Sequence, residues 1–519
     1  APAADAGPYP MPDGEDAASG EEAENTPLTP GSAPPKSHGA AQATTDAEAT
    51  AELSTAPEMA PAVAPDQSGE SCCSTMCAIL SPTLVVAGDY LGLYIITPSL
   101  PFKLTELCLN PERYQGYVMT SQFTGIIFAN LFWAEVSKRY GLKRALQGTV
   151  AIGSCFFLGT AFCDSLASLI IVRFFAGCCS PLVPALTLAL TNVKPTQAPA
   201  AVGYIVTFCT GSWALGGLLV ALTYHSPPWS ANQIGIGFFG VNIITVGVAL
   251  LALLAITIRE KAPDRSSLID ASSPPIAGLP IALKSREYIA TVISAAIVGY
   301  SYLATLTVSA VALVVQFGLT SFEAGLLVMV PAIVLGIAAH VVPWLITSIG
   351  SQRTFTLGMV LALFLFILLS IPQISGNIYS FVTLTSLFMI AFQCQYTPNQ
   401  VKPKLIALKY TRGGAVSLVG YTRVCWAIGQ AIAPLTCLAA YAAGPIEGNT
   451  PFIHVSSNSS CVEETFHQGR YFWLPWLILA ILVACQMLLH PILGVSLFED
   501  IDPTPVQSVR MASDEVIAE

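Results

Sequence analysis

Twelve apolar stretches, each about as long as a bilayer is thick, constrain this chain more than anything else in it. They fall at 78–99, 115–136, 146–163, 166–190, 199–223 and 234–258, and, after a polar segment, at 288–315, 322–346, 354–373, 378–398, 414–442 and 471–495. About 20 apolar residues in helix cover the ~30 Å of hydrocarbon, whereas a barrel strand needs only ~9–11. In lipid every backbone N–H and C=O must be satisfied within the protein, which leaves helices as the solution for runs this long. The expected fold class is an all-α membrane protein of twelve transmembrane helices. A mean hydropathy of +0.64 and a charged fraction of only 10% agree with that.

The net charge of −10 belongs to one segment. Residues 1–70 carry thirteen acids against Lys36 alone, net −12, while the remainder carries nineteen acids against twenty-one bases, net +2. This Ala-, Pro-, Ser- and Thr-rich start has too little apolar surface to fold, so 1–77 is expected to be a disordered acidic cytosolic tail. No secretory-signal pattern opens the chain, and the first span is expected to act as the insertion signal. The loops after spans 2, 4, 6, 8 and 10 hold most of the Lys and Arg, among them Lys138, Arg139, Lys143, Arg144, Arg259, Arg286, Arg353 and Arg412. The opposite loops hold Lys103, Arg113 and Arg470. Basic loops stay in the cytosol, so both termini are expected there.

The organisation that follows is an N-terminal six-helix bundle (78–258), a cytosolic linker (259–287), a C-terminal bundle (288–495) and a cytosolic tail (496–519). Internal repetition supports it. A shift of 209 lays Gly116 on Gly325, Gly141 on Gly350 and Arg144 on Arg353. A shift of 217 lays Val202-Gly203-Tyr204 on Val419-Gly420-Tyr421 and Leu218 on Leu435. Two pseudo-symmetric halves around a midplane site are the architecture of secondary transporters. Asn458-Ser459-Ser460, in the largest outer loop, is the expected glycosylation site. Cys72, Cys73 and Cys77, beside the first span, read either as a palmitoylation cluster or as free thiols. Cys108 and Cys461 would both face outside, where they could pair.

Three ionisable residues fall at membrane depth: Asp89 in span 1, Arg173 in span 4 and Arg423 in span 11. A charge there costs at least ~2.5–3.5 kcal/mol, so each needs a partner, a wet cavity or a function. A carboxyl that gains and loses a proton in a cavity can couple proton movement to transport. An arginine stays charged, and can pair with Asp89 or grip an anionic group. The competing reading is an Asp–Arg latch that holds helices together. Among uncharged residues, Tyr94 and Gln122 are expected to line the cavity ahead of Asn130, Asn242 and His340. Glu135, Lys138, Arg139, Gly141 and Lys143, between spans 2 and 3, are expected to form a gate, the bases binding helix C-termini and acidic partners.

Two motifs carry a family resemblance. In span 1, Leu91-Gly92 is followed by Pro98 and Pro101; in span 4, Leu169 precedes Arg173 by four and Gly177 follows it by four. Over 78–495 the chain resembles the major facilitator superfamily, particularly its twelve-helix drug/proton antiporters. The resemblance implies the major facilitator fold, alternating access and a proton-handling role for Arg173. The chain departs from the family's pattern after span 2, where Ala134 and Lys138 stand for the expected glycine and aspartate, and in span 5, where Ser212-Trp213 replaces Gly-Pro. Trp133, Arg412-Gly413-Gly414 and Arg423 are similar to the vacuolar phosphate transporters that carry SPX domains and to their endolysosomal relatives.

The expected function is secondary active transport of a small organic solute or ion, coupled to protons through Asp89. One alternative is a phosphate- or chloride-like anion carrier of an endolysosomal or vacuolar membrane, gripping substrate with Arg173 and Arg423. Another is a non-transporting receptor or scaffold. The chain has no Gly-x-x-x-x-Gly-Lys-Ser/Thr phosphate loop, metal-ligand cluster or nucleophile elbow. No enzyme activity, cofactor, metal or nucleic-acid partner is expected; the partners are solute, protons and bilayer, and the chain is expected to act as a monomer in the plasma membrane or an endolysosomal or vacuolar one.

Overall fold

A computed structural model describes residues 72–193, 198–223, 236–259, 283–410, 415–442, 446–449, 467–469, 472–497 and 499. The N-terminal half contains α1 (Cys72–Glu106), α2 (Pro111–Tyr140), α3 (Leu142–Ala161), α4 (Leu166–Cys178), α5 (Leu182–Thr191), α6 (Ala198–Thr223) and α7 (Ile236–Arg259). The C-terminal half contains α8 (Arg286–Val311), α9 (Ser321–Ile349), α10 (Ser351–Leu369), α11 (Ile378–Tyr410), α12 (Ala415–Ala442) and α13 (Leu474–Ile492). Two short antiparallel strands, Ile446–Asn449 and His467–Gly469, lie between α12 and α13. Among the described residues ten helices are long and apolar enough to cross a membrane, with α4 and α5 forming one span, Leu166–Ala189. The other two expected spans are α2 and α3, of 30 and 20 residues, packed among those ten. Their hydropathy is lower because α2 carries Gln115, Thr120, Gln122 and Asn130 on its inner faces and α3 opens on Lys143-Arg144.

The first helix runs further than its apolar core, so Cys72, Cys73 and Cys77 lie in its opening turns rather than ahead of it. Pro98 and Pro101 sit inside α1. Each lacks the N–H that would bond four residues back, which leaves Tyr94 O and Thr97 O without their helical donors, and a side chain of α2 reaches the second. Ser99 Oγ donates to Ile95 O at 2.7 Å, and Gln115 Nε2 of α2 reaches Thr97 O at 3.5 Å. Span 4 breaks at Cys179-Ser180-Pro181 because proline cannot continue the ladder, and this frees Ser180 to face the interior. Cys108 is disulfide-bonded. Cys461, Asn458 and Arg412 lie outside the described residues, as do the tail residues 1–71.

The repeat seen in the sequence is present in the backbone. Gly141 and Gly350 end α2 and α9 at φ +89° and +94°, the left-handed region where only glycine is unstrained. The halves meet along two long seams, α2 with α12 and α6 with α9, and across the centre, α1 with α8. Lys143, Arg144, Lys284, Arg286 and Arg353 gather at one end of the bundle, here the basic end, where α2, α7 and α9 finish and α3, α8 and α10 start. At the opposite end both seams close to backbone contact. A Cβ on Gly116 would lie 3.1 Å from Pro434 O, and one on Gly217 would lie 2.7 Å from Gly325 O. These contacts are repeat counterparts, since 116 and 325 differ by 209 and 217 and 434 by 217. At the centre the Tyr94 and Tyr302 hydroxyls are hydrogen-bonded to each other.

Candidate functional site

Between the halves lie two adjoining narrow chambers. Both are lined by Tyr90, Tyr94, Tyr302, Arg423, Trp426 and Gln430. Asp89, Asn130 and Ser180 belong to the first; Cys209, Phe392 and Tyr396 belong to the second. Aromatic side chains pack together in the walls of both. Tyr302 stacks on Phe392 at 4.3 Å between centroids, Tyr396 meets Trp426 edge-on at 5.1 Å, and Tyr94 stacks on Trp213 at 5.3 Å. Few polar groups set in apolar walls, at an inter-domain face, is the usual composition of a ligand pocket.

Asp89 comes from the middle of α1, and its Oδ2 accepts from Ser180 Oγ at 3.0 Å. The helix break at Pro181 is what places that hydroxyl there. Arg423 comes from the basic-end third of α12 and is 3% exposed. Its guanidinium lies 5.4 Å from the Tyr396 ring centroid, and Nε and Nη1 have no hydrogen-bond partner among the described residues. Asp89 and Arg423 line the same chamber, yet no ion pair within 4 Å joins them.

Arg173 is elsewhere. It is fully buried between helices of the N-terminal half, where Nη1 donates to Gly92 O at 3.3 Å and Gln122 Oε1 at 3.4 Å. Its Nη2 donates to Asn242 Oδ1 at 3.3 Å, and its guanidinium lies 5.8 Å from the Phe157 ring centroid. One side chain thus ties α4 to α1, α2 and α7. Gly177, one turn on, lets α4 lie against α2, because a Cβ there would come 2.0 Å from Gln122 O. The span 1 and span 4 motifs therefore meet in space, in a helix-binding node that lines neither chamber. Gln122 goes with Arg173 into that node, and Tyr94 stays in the cavity.

At the basic end, Arg139 Nε pairs with Glu135 Oε1 at 3.0 Å along the exposed face of α2. Lys143 Nζ donates to Thr257 O at 3.2 Å, in the last turn of α7, where a helix dipole favours a cation. Gly141 supplies the turn between α2 and α3, and the side chain of Lys138 lies outside the described ones. His340, on α9, bonds Thr207 of α6 at 3.1 Å across the seam. Sequence reasoning did not single out Ser180, Tyr90, Tyr302, Tyr396, Trp426 and Gln430 for the site. Of these only Ser180 carried a local signal, a Ser-Pro step inside an apolar run.

Comparison with known proteins accords with this geometry. Residues 83–434 match the model of the Major Facilitator Superfamily. An uncharacterised transporter of that type from Bacillus subtilis (strain 168), YuxJ, is 30% identical over 132 residues, 25% of this chain. That match spans 34% of the relative's length. The solved nucleoside transporter NupG superimposes with a TM-score of 0.55 at 12% identity, covering 79% of this chain and 98% of its own. A bacterial homologue of the human lysosomal transporter Spinster, inward-facing and occupied, gives 0.53 at 15% identity, over 72% and 83%. With its helical fold, its repeated halves and a family match over most of its length, the chain belongs to the Major Facilitator Superfamily and is a membrane transporter, not an enzyme.

Proposed function

We propose that the protein is a proton-coupled carrier of a small organic solute, working by alternating access, with Asp89 as the proton site and Arg423 as the contact for an anionic group of the substrate. One observation carries this reading: Asp89 and Arg423 line one cavity between the halves without neutralising each other. A carboxyl bonded to a neutral hydroxyl can exchange its proton as the cavity changes sides, and a guanidinium with two unsatisfied N–H groups is a ready anion ligand. The same unsatisfied groups favour the anion-carrier alternative for Arg423, whereas Arg173 has both Nη atoms engaged and serves to hold helices together. The basic end faces the cytosol, which puts both termini there. The chain works as a monomer of two six-helix bundles (78–258 and 288–495), and Glu135, Arg139 and Lys143 steady the basic end.

Flux in proteoliposomes under an imposed pH gradient tests the reading, with a panel of organic acids, nucleosides and inorganic anions. Uptake should depend on the gradient, Asp89→Asn should remove that dependence, and Arg423→Gln should abolish uptake of acids. Intact pH coupling in Asp89→Asn would sink the proton role. Unaltered acid uptake in Arg423→Gln would sink the anion contact, and no flux of any solute would leave a receptor or scaffold.

A further inference from the structure

Glu112 lies in the first turn of α2, at the end opposite the basic one, and puts a carboxyl where the two halves meet. It is 5% exposed, and its Oε1 is buried without a hydrogen-bond partner among the described residues. One turn on, Gly116 is where α2 touches Pro434 of α12, and Thr120, a turn further, donates to Ala431 O at 2.7 Å. Spaced four apart, the three share one face of α2, so Glu112 belongs to the closed part of the seam. Tyr441 of α12 is buried and close enough to interact with the Glu112 charge. Gln115, also buried, has Oε1 unpartnered and Nε2 on Thr97 O, and Thr97 lines the first chamber.

No described group neutralises this carboxyl. Lys103, near the end of α1, pairs with Glu106 at 3.5 Å, and neither it nor Arg113 comes within 4 Å of Glu112. Arg113 is exposed and lies 5.6 Å from the Tyr114 ring centroid. A helix N-terminus favours an anion, but Asn110 takes the N–H groups there: its Oδ1 accepts from Glu112 N, and its O from Arg113 N and Tyr114 N. The repeat supplies no equivalent on the α6–α9 seam. The position 209 further on is Ser321, and the carboxyl beside it, Glu323, is exposed and caps Thr320. Closing the α2–α12 seam therefore takes a carboxyl out of water with no cation to meet it. A carboxylate buried in this way is far costlier than the neutral acid, so closure favours the protonated form and opening the ionised one.

We propose that Glu112 is a second proton site, which binds a proton as the α2–α12 seam closes at this end and returns it to the water there as the seam opens. That role rests on the alternating-access reading above, and not on Asp89. The two carboxyls then answer to different water: Asp89 to whichever side the cavity faces, Glu112 always to the same side.

The test uses the full chain in detergent, where both ends meet the same pH. Met119→Cys places a thiol at a buried position on the Glu112 face of α2, and Tyr117→Cys places one at an exposed position of the same helix. Each is treated with a charged, water-soluble maleimide, and modification at that position is followed by peptide mass spectrometry. The ratio of the two rates cancels the response of the thiol itself to pH. Above the ordinary glutamate value of ~4.3, opening releases one proton until the closed form also ionises, so the ratio should rise about tenfold per pH unit and then level off. Glu112→Gln, which stays neutral, should keep the ratio low and flat, and Glu112→Asp should restore the rise. The same rise in Glu112→Gln, or labelling at Met119→Cys that ignores pH, would overturn the proton site alone. No labelling there at any pH would overturn the alternating-access reading with it. Should Glu112→Gln fail to fold, dicyclohexylcarbodiimide, which attacks protonated carboxyls, tests the native chain. At neutral pH it should modify Glu112 and spare the exposed Glu323; any other pattern would overturn the site. Neither measurement needs flux, so the transport assays can fail without obscuring the result.

Discussion

Arg173 and Arg423 should respond differently to the same substitution. In Arg173→Met three hydrogen bonds disappear, to Gly92 O, Gln122 Oε1 and Asn242 Oδ1. Interhelical hydrogen bonds in membrane proteins average ~0.6 kcal/mol and reach ~1.7, so their loss costs about 2–5 kcal/mol. Gln122 Oε1 and Asn242 Oδ1 are then buried without donors, which adds to the penalty. In Arg423→Met no described neighbour loses a hydrogen-bond partner, since Nε and Nη1 make no bond among the described residues. What disappears is a contact with the Tyr396 ring, worth ~0.5–1 kcal/mol, against the relief of ~1–3 kcal/mol for removing unsatisfied buried groups. The expected net change is neutral to stabilising. Thermal unfolding in detergent without added solute, followed by tryptophan fluorescence, should show a midpoint several degrees lower for Arg173→Met and unchanged or higher for Arg423→Met. A fall of equal size in both would refute the division into a structural and a ligand-facing arginine.

Two further outcomes can be stated. Gly177→Ala should fold poorly or unfold at markedly lower temperature, because the new methyl would lie 2.0 Å from Gln122 O, whereas Gly247→Ala, with nothing within 4 Å among the described residues, should gain ~0.4–1 kcal/mol in the same assay. Non-reducing peptide mapping should recover Cys108 joined to Cys461: nine of the other cysteines are free, and Cys72, Cys73 and Cys77 open the helix whose far end approaches Cys108, ~40 Å away along its axis; recovery of Cys108 with any other partner would refute the elimination.

The fold was legible because its signals are local and redundant. Length of apolar run, Lys and Arg in alternate loops and glycines at repeated spacing each constrain the same twelve segments, and the Gly141 and Gly350 turns adopt matching dihedrals. The site was legible only in depth. A single charge within an apolar run looks the same at Arg173 and at Arg423, since the sequence gives its height in the membrane but not the face of the bundle it points to. That face is set by crossings such as Gly177 on Gln122, which depend on residues fifty positions apart. The aromatic wall was hidden for a related reason: Tyr302, Phe392 and Trp426 come from three helices, and each alone reads as ordinary core. Ser180 was readable in principle, because the proline after it forces the break that turns it inward.

The bond between Tyr94 and Tyr302 has a consequence beyond closure of the cavity. The two residues differ by 208 positions, one short of the spacing of 209 that relates α2 to α9, and each comes from the first helix of its half. A residue on a two-fold axis is its own partner, as in an isologous dimer. In a six-helix ancestor paired with a second copy of itself, one tyrosine would have faced an identical tyrosine, and any change at that site would have been doubled at once. After duplication and fusion the two copies could vary separately. A hydroxyl pair is among the few contacts that work both ways, since each group can donate or accept; the chain has at its centre a contact that does not require its halves to differ.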